Sequence, residues 1–309
     1  MGVLYIVSTE EAAGKTAICA GIAINLLNAG KKVGYLKPQA AENDGDINFM
    51  RKVLGLADLI NAPDLIKGRD IVLVEAMLGK KASDAVSKAT YGAAKEMEAK
   101  VLAVEAYSGQ PSKPDSLYKG FGENFLGVVV NKVPQSQLKR AKEEATAQYG
   151  AEGIKVLGVI PENRVLLAIT VGELAECIQG KILNNADKSG ELVENYMLGA
   201  MTVDSGLGYF GRKRNKAAVI RQERLDMQLA ALETPTGCLI LSGSNKPPFY
   251  NVLNKAESKG VPIITTETNV NDIVTSIENA LMKTRLNQEK KLVKLAEIVK
   301  QNLDMKVFG

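Results

Sequence analysis

Residues Ser8-Thr-Glu-Glu-Ala-Ala-Gly14-Lys15-Thr16 hold the strongest chemistry in the chain. They follow an apolar run, Val3 to Val7, and open a long helical stretch. A Gly-Lys-Thr turn in that context suits phosphate. Backbone N–H groups at a helix N-terminus point at the anion and the helix dipole favours its charge. On this reading the amides of Ala12, Ala13, Gly14, Lys15 and Thr16 cradle phosphates. Lys15 reaches the β- and γ-phosphates, and the Thr16 hydroxyl ligates Mg²⁺. The pattern G-x-x-x-x-G-K-[ST] is incomplete, because Thr9 stands where its first glycine belongs. The expected cofactors are ATP and Mg²⁺.

A Mg²⁺ ion in such a place takes carboxylates from other strand ends. Glu75 closes the run Ile71-Val-Leu-Val, and Glu105 closes Val101-Leu-Ala-Val as its rival. Asp44 and Asp46 fall in a polar, Gly-containing stretch after the second strand, which reads as a loop. Thr16, Asp46 and Glu75 are the expected metal ligands. Lys37 ends the second strand before Pro38 and either meets an anion or faces water. Arg224 and Asp226 either bind a ligand or pair with each other.

Composition narrows the field. The chain has 309 residues and a net charge of +4, from 39 Lys and Arg against 35 Asp and Glu. At roughly 150 residues per domain this is about two domains. The charge is too mild to imply a nucleic-acid partner. There is no His, which removes Ser-His-Asp triads, imidazole bases and His-ligated metals together. There is no Trp to build stacking platforms. Cys19, Cys177 and Cys238 form no CxxC pair, so they read as reduced core residues and the expected compartment is the cytoplasm. No apolar run approaches the roughly 20 residues that span a bilayer, and the N-terminus lacks the basic start of a secretory signal. No membrane partner is expected.

The elements that must position these groups alternate. Strands are expected at Val3–Val7, Val33–Leu36, Ile71–Glu75, Val101–Glu105, Leu126–Asn131 and Val156–Ile160. Most are apolar throughout, as strands buried on both faces of a parallel sheet are. Helices are expected at Lys15–Ala29, Ser83–Lys100 and Gln135–Tyr149, with Gly30 as a C-terminal stop. This is a doubly wound parallel α/β sheet, with ligands at the carboxyl ends of its strands. The pattern shifts near residues 162–167. Thr170-Val-Gly-Glu173 has capping-box spacing. Asp204 to Asn215 reads as a glycine-rich loop. A second α/β run then has strands Ala217–Arg221, Cys238–Ser242 and Val261–Thr265. Its helices are Leu225–Glu233, Pro248–Lys259 and Val270–Lys283. The tail puts Leu292, Leu295, Val299 and Leu303 on one helical face.

Taken in order, these pieces resemble dethiobiotin synthetase. Ser8 to Thr16 is similar to that family's G-T-x-T-x-V-G-K-T loop, and Tyr35-Leu-Lys37-Pro38 to its Y-K-P segment. Asp46 corresponds to the Asp of the loop that follows. Val74-Glu75 resembles its V-E-G-A-G-G strand end, Val129-Val-Asn131-Lys132 the strand ending in an adenine-binding Asn, and Leu157-Gly-Val-Ile-Pro161 its L-G-x-I-P strand. The resemblance implies a P-loop NTPase-like α/β domain over residues 1–163. It also implies an adenine contact at Asn131 and, in an enzyme, catalytic roles for Lys15 and Lys37. Residues 165–284, above all Ala217 to Glu233 and Thr236 to Gly243, resemble the smaller α/β DRTGG domain, leaving 285–309 as a C-terminal amphipathic helix. The order of modules is that of the N-terminal regulatory half of long bacterial phosphotransacetylases, without room for their acetyltransferase domain.

Some positions depart from these families. Ala76 and Met77 stand where the synthetase has glycines and would crowd the approach of backbone to phosphate or substrate. Glu11 replaces the loop's second threonine. Acidic residues hold the position of the signature lysine of MinD- and ParA-type ATPases. The expected function is an ATP/Mg-binding regulator or sensor without acetyltransferase activity. The alternative is an ATP-dependent ligase of the dethiobiotin or cobyrinic acid synthetase type. The expected partners are a nucleotide, a second copy in a homodimer, and a small-molecule ligand at the DRTGG-like domain. The dimer contact is expected on that domain or on the tail stripe.

Overall fold

Strands that are apolar at nearly every position need cover on both faces. The computed structural model describes residues 2–38, 44–55, 68–109, 116–200, 206–282 and 289–308. The chain divides into two units, Met1–Asn163 with Leu286–Gly309, and Arg164–Arg285.

The first unit contains β1 (Gly2–Ser8), α1 (Lys15–Asn28), β2 (Val33–Leu36), α2 (Gly45–Leu54), β3 (Ile71–Met77), α3 (Ala85–Glu96), β4 (Lys100–Ala106), β5 (Phe125–Val133), α4 (Leu138–Ala151) and β6 (Val156–Pro161). All six strands run parallel, in the order β2-β3-β1-β4-β5-β6. The sheet is the expected P-loop NTPase-like, doubly wound parallel one. The chain leaves β1 toward one edge and β4 toward the other, so the carboxyl ends of these central strands form the switch point where such sheets bind ligands. Tyr5, Val7, Val72, Val74 and Val128 pack on one face with Ala94 of α3 and Ala141, Ala145 and Tyr149 of α4. The other face carries α1.

Two readings change here. Asp44 and Asp46 do not lie in a loop. Asp44 accepts hydrogen bonds from the N–H groups of Asp46 and Ile47 and so caps α2. A polar start that resembled a loop is a helix N-terminus. The third helix stops at Glu96, because Glu98 takes a left-handed φ of 48° and Lys100 already opens β4.

The last helix, Glu289–Asn302, lies along α1. A Cβ on Gly21 would run into Val299, so the two helices meet through a bare backbone. Asn25 Nδ2 donates to Ala296 O at 2.9 Å, and Asp304 N donates to Leu157 O at 2.9 Å. The tail stripe therefore faces its own chain, with Leu295, Val299 and Leu303 buried. This removes the stripe as the expected contact between two copies. Its start, 285–288, lies outside the described residues.

The second unit is built from α5 (Arg164–Leu167), β7 (Ile169–Thr170), α6 (Val171–Cys177), β8 (Lys181–Ile182), β9 (Leu192–Val193), β10 (Asn195–Leu198), α7 (Gly206–Phe210), β11 (Lys216–Arg221), α8 (Leu225–Leu232), β12 (Thr236–Ser242), α9 (Tyr250–Ser258), β13 (Ile263–Thr266) and α10 (Val270–Met282). Its main sheet has five strands, β10-β11-β12-β13-β8, with only β8 antiparallel. Phe210, Met227 and Val252, from α7, α8 and α9, cover one face, and α6 and α10 cover the other. Thr170 and Glu173 form the expected capping box. The sheet is larger than the three strands expected, because its edge strands β8 and β10 are only two and four residues long, and the two-residue strands β7 and β9 pair apart from it. Gly206 to Phe210 is a helical turn rather than loop, and residues 204 and 205 of that stretch lie outside the described residues. The expected end of the last helix of this unit at Lys283 and the boundary at 284 lie outside the described residues. Cys19 and Cys238 are buried and unpaired thiols, and Cys177 is half-buried.

Close approach of α1 and the last helix gives a direct test. Gly21→Ala should destabilise the protein by about 1–2 kcal/mol, overpacking outweighing the helix-propensity gain. In a Val299→Ala background the same change should be neutral or stabilising by chemical denaturation. Additive effects would show that the helices do not meet there.

Candidate functional site

The turn from β1 into α1 depends on Gly14, whose φ of 88° is left-handed. A Cβ there would also strike the Asn131 amide. Glycine is required twice over, by conformation and by contact. No side chain caps α1, so the first N–H groups of the helix remain directed into the loop. Ser8 holds the start of the loop: its Oγ accepts from Glu10 N and donates to Glu10 O, both at 3.0 Å. The far side is held from β5. Asn131 Nδ2 donates to Ala13 O at 2.9 Å, and Lys132 Nζ donates to Ala12 O at 2.6 Å. Glu11 is exposed, turned to solvent.

Lys15 is buried, and its Nζ contacts neutral acceptors, Glu10 O at 3.3 Å and Met77 Sδ at 2.9 Å. Burial pushes its pKa down, partly opposed by the charge of Glu75. An ammonium without a carboxylate beside it is ready to meet an anion.

Glu75 sits beside β1 on the next strand, opposite Ile6. Its carboxylate accepts from Thr16 Oγ1 at 3.1 Å and from Tyr35 OH at 2.8 Å. Burial raises its pKa, against the pull of Tyr35, Lys37, Lys15 and Thr16. Burial, with nearby negative charge, also raises the Tyr35 phenol well above its usual range, so the phenol stays a donor. The hydroxyl and carboxylate that a hard cation would share are thus in contact. Among the described residues no three acidic or thiol side chains gather into a metal cage. Mg²⁺ would therefore take Thr16 and Glu75 from the protein and its other ligands from phosphate and water, its usual manner of binding.

The other expected residues are placed differently. Asp46 lies 2.7 Å from Lys37 Nζ, with Asp44 at 2.8 Å, and no bond joins Asp46 to Thr16. Burial works to lower the Lys37 pKa, but its bonds to both aspartates outweigh this and raise it. Glu105, the rival ligand, is buried and bonded to the Tyr118 phenol. Asn131 is tied to the loop backbone. The structure thus brings Ala12, Ala13, Gly14, Lys15, Thr16, Glu75 and Asn131 together, and pairs Lys37 with Asp46 close enough to act electrostatically on Glu75 and Lys15. Tyr35, Met77 and Lys132 were missed as contributors. Tyr35 and Lys132 each adjoin a strand-end motif, the only signal that could have found them. In the second unit, Arg224 and Asp226 pair at 2.7 Å.

The raised Glu75 pKa has a signed consequence. The folded state holds this proton more tightly than the unfolded chain, so ionisation costs stability as pH rises through and above the ordinary value of about 4.5. Glu75→Gln, measured without nucleotide, should gain stability relative to the parent protein as pH rises from about 4 to 8. A difference that stays constant over that range would contradict the burial of this charge.

Residues 4–173 match the CobQ/CobB/MinD/ParA nucleotide binding domain, and residues 173–280 match the DRTGG domain. The chain is 23% identical to a phosphate acetyltransferase of Pseudomonas putida and 21% identical to one of Pseudomonas aeruginosa. In both cases 98% of this chain and 51% of the relative are covered. The chain thus spans about half the length of the curated relatives it matches. Among solved structures, it is similar to the MinC:MinD cell division protein complex of Aquifex aeolicus at 18% identity. That match covers 54% of this chain and 84% of the other, with a TM-score of 0.36. Its first unit carries a Gly-Lys-Thr helix turn on a parallel sheet, and the chain belongs to the CobQ/CobB/MinD/ParA nucleotide-binding family, with a DRTGG domain following.

Proposed function

We propose that this chain is an ATP- and Mg²⁺-binding regulatory protein. Its first unit binds the nucleotide, and its DRTGG unit takes a second ligand or a second copy. The observation that carries the reading is the contact of Thr16 with Glu75 at the mouth of a bare-backbone loop, beside a Lys15 that meets no carboxylate. Bound Mg²⁺ would screen the phosphate charge. The chain's own residues would orient the phosphates through the amides of residues 12–16, hold the ion through Thr16 and Glu75, and keep the Glu75 carboxylate in place through Tyr35. One Nδ2 hydrogen of Asn131 braces Ala13, which leaves its amide oxygen and its second N–H for the proposed adenine contact.

Two contacts favour binding over ligase chemistry. Lys37, which a synthetase would aim at developing negative charge, is neutralised by Asp44 and Asp46. The Met77 thioether lies against Lys15, in space that a glycine would leave open. No helix among the described residues is long and apolar enough to cross a membrane. The reading is of a cytoplasmic homodimer, two-fold dimers being the commonest assemblies. Light scattering at the single-chain mass of 33.1 kDa would remove the dimer.

Calorimetry tests the nucleotide site. Lys15→Ala should weaken ATP binding by at least about tenfold, as loss of a charge-assisted phosphate contact does. Glu75→Gln should abolish the Mg²⁺ dependence of that binding, while Glu105→Gln should leave it intact. Identical ATP titrations for Lys15→Ala and the parent chain would overturn the proposal. Rapid ADP release with a defined carboxylate acceptor would promote the ligase.

A further inference from the structure

We infer that Lys132 is a second phosphate-contacting cation of the loop, a role that rests on the nucleotide-site reading above. Lys132 is the penultimate residue of β5, directly after Asn131, and its Nζ donates to Ala12 O at 2.6 Å. Its Cε also lies 3.7 Å from where a Cβ of Gly14 would stand. Ala12 and Gly14 both supply amides to the cradle, so the ammonium sits at the rim of the anion's place.

Three observations separate Lys132 from an ordinary surface lysine. Its backbone φ is 62°, a left-handed value that a non-glycine residue keeps only where its surroundings fix it. That turn sends the side chain back across 120 residues of sequence to the loop. Among the described residues it has no carboxylate within ion-pair distance, whereas Lys37 has two. A carbonyl oxygen offers an ammonium partial charge only, and a phosphate oxygen is the stronger acceptor. Lys132 is exposed, so its four-carbon stem can turn from the Ala12 carbonyl to an anion without unpacking a core. The site therefore has two uncompensated ammoniums, buried Lys15 on the inner side of the loop and Lys132 on its outer side. This suits the polyphosphate of a nucleotide better than a monoanion.

The test uses the full chain with Mg²⁺, titrated with ATP and separately with adenosine. Lys132→Met should weaken ATP binding at least about tenfold and leave adenosine binding unchanged, and Lys132→Arg should restore ATP binding to within about threefold. Lys132→Gly should behave as Lys132→Met, and it keeps the fold secure because glycine takes the left-handed conformation without strain. Equal ATP affinity in Lys132→Gly and the parent chain would overturn the inference alone. Parallel loss of ATP and adenosine binding would also overturn it, leaving Lys132 a brace for the loop. Failure of the parent chain to bind ATP would overturn the nucleotide reading, and this one with it.

Discussion

A phosphate cradle made of backbone amides must be rigid before the anion arrives, and the loop proposed as such a cradle is braced from the end of β5. Asn131 and Lys132 donate to the carbonyls of Ala13 and Ala12 and so tie the loop backbone to β5. The order β1-β4-β5 sets a single strand, β4, between the loop and its brace, near enough for side chains to cross. The parallel direction of all three delivers both to the same end of the sheet. Gly14 is the complement of this brace, since any side chain there would occupy the Asn131 amide's place. The apolar strand runs and the cover from α1, α3 and α4 hold this geometry in register.

Charge is distributed with the same economy. Glu75 is buried, yet its oxygens meet Thr16 and Tyr35, so burial raises its pKa without leaving it unbonded. Lys37 is fully answered by Asp44 and Asp46, whereas Lys15 and Lys132 are held on neutral acceptors. Cations already paired add little to anion binding. Cations parked on carbonyls are the ones an anion can recruit. That contrast, more than the count of lysines, supports the proposed nucleotide-binding loop over a site arranged for acyl-phosphate chemistry.

What the sequence makes legible follows from how local each signal is. The buried strands β1 to β6 announce themselves as continuous apolar runs, and Gly14-Lys15-Thr16 carries its chemistry in adjacent residues. The helix α2 was hidden because its cap, Asp44, is also a good loop residue, and only the bonds to Asp46 and Ile47 distinguish the two. Strands of two residues, β7, β8 and β9, are too short to show any period. The contacts that shape the site join distant positions. Tyr35 reaches Glu75 across 40 residues, and Lys132 reaches Ala12 across 120. No local pattern encodes such a pairing. The same holds for the tail, whose apolar stripe was plain but whose partner, Gly21 on α1, was not.

On the proposed function the loop after β1 is a working phosphate site whose cation is shared by Thr16 and Glu75. A crystal structure of the protein with Mg²⁺ and a non-hydrolysable ATP analogue tests it most directly. The account predicts phosphate oxygens on the amides of residues 12–16, Lys15 moved from Glu10 O onto the anion, and one metal ion bound by Thr16 and Glu75. Analogue bound elsewhere, with Lys15 still on Glu10 O and Met77, would contradict it.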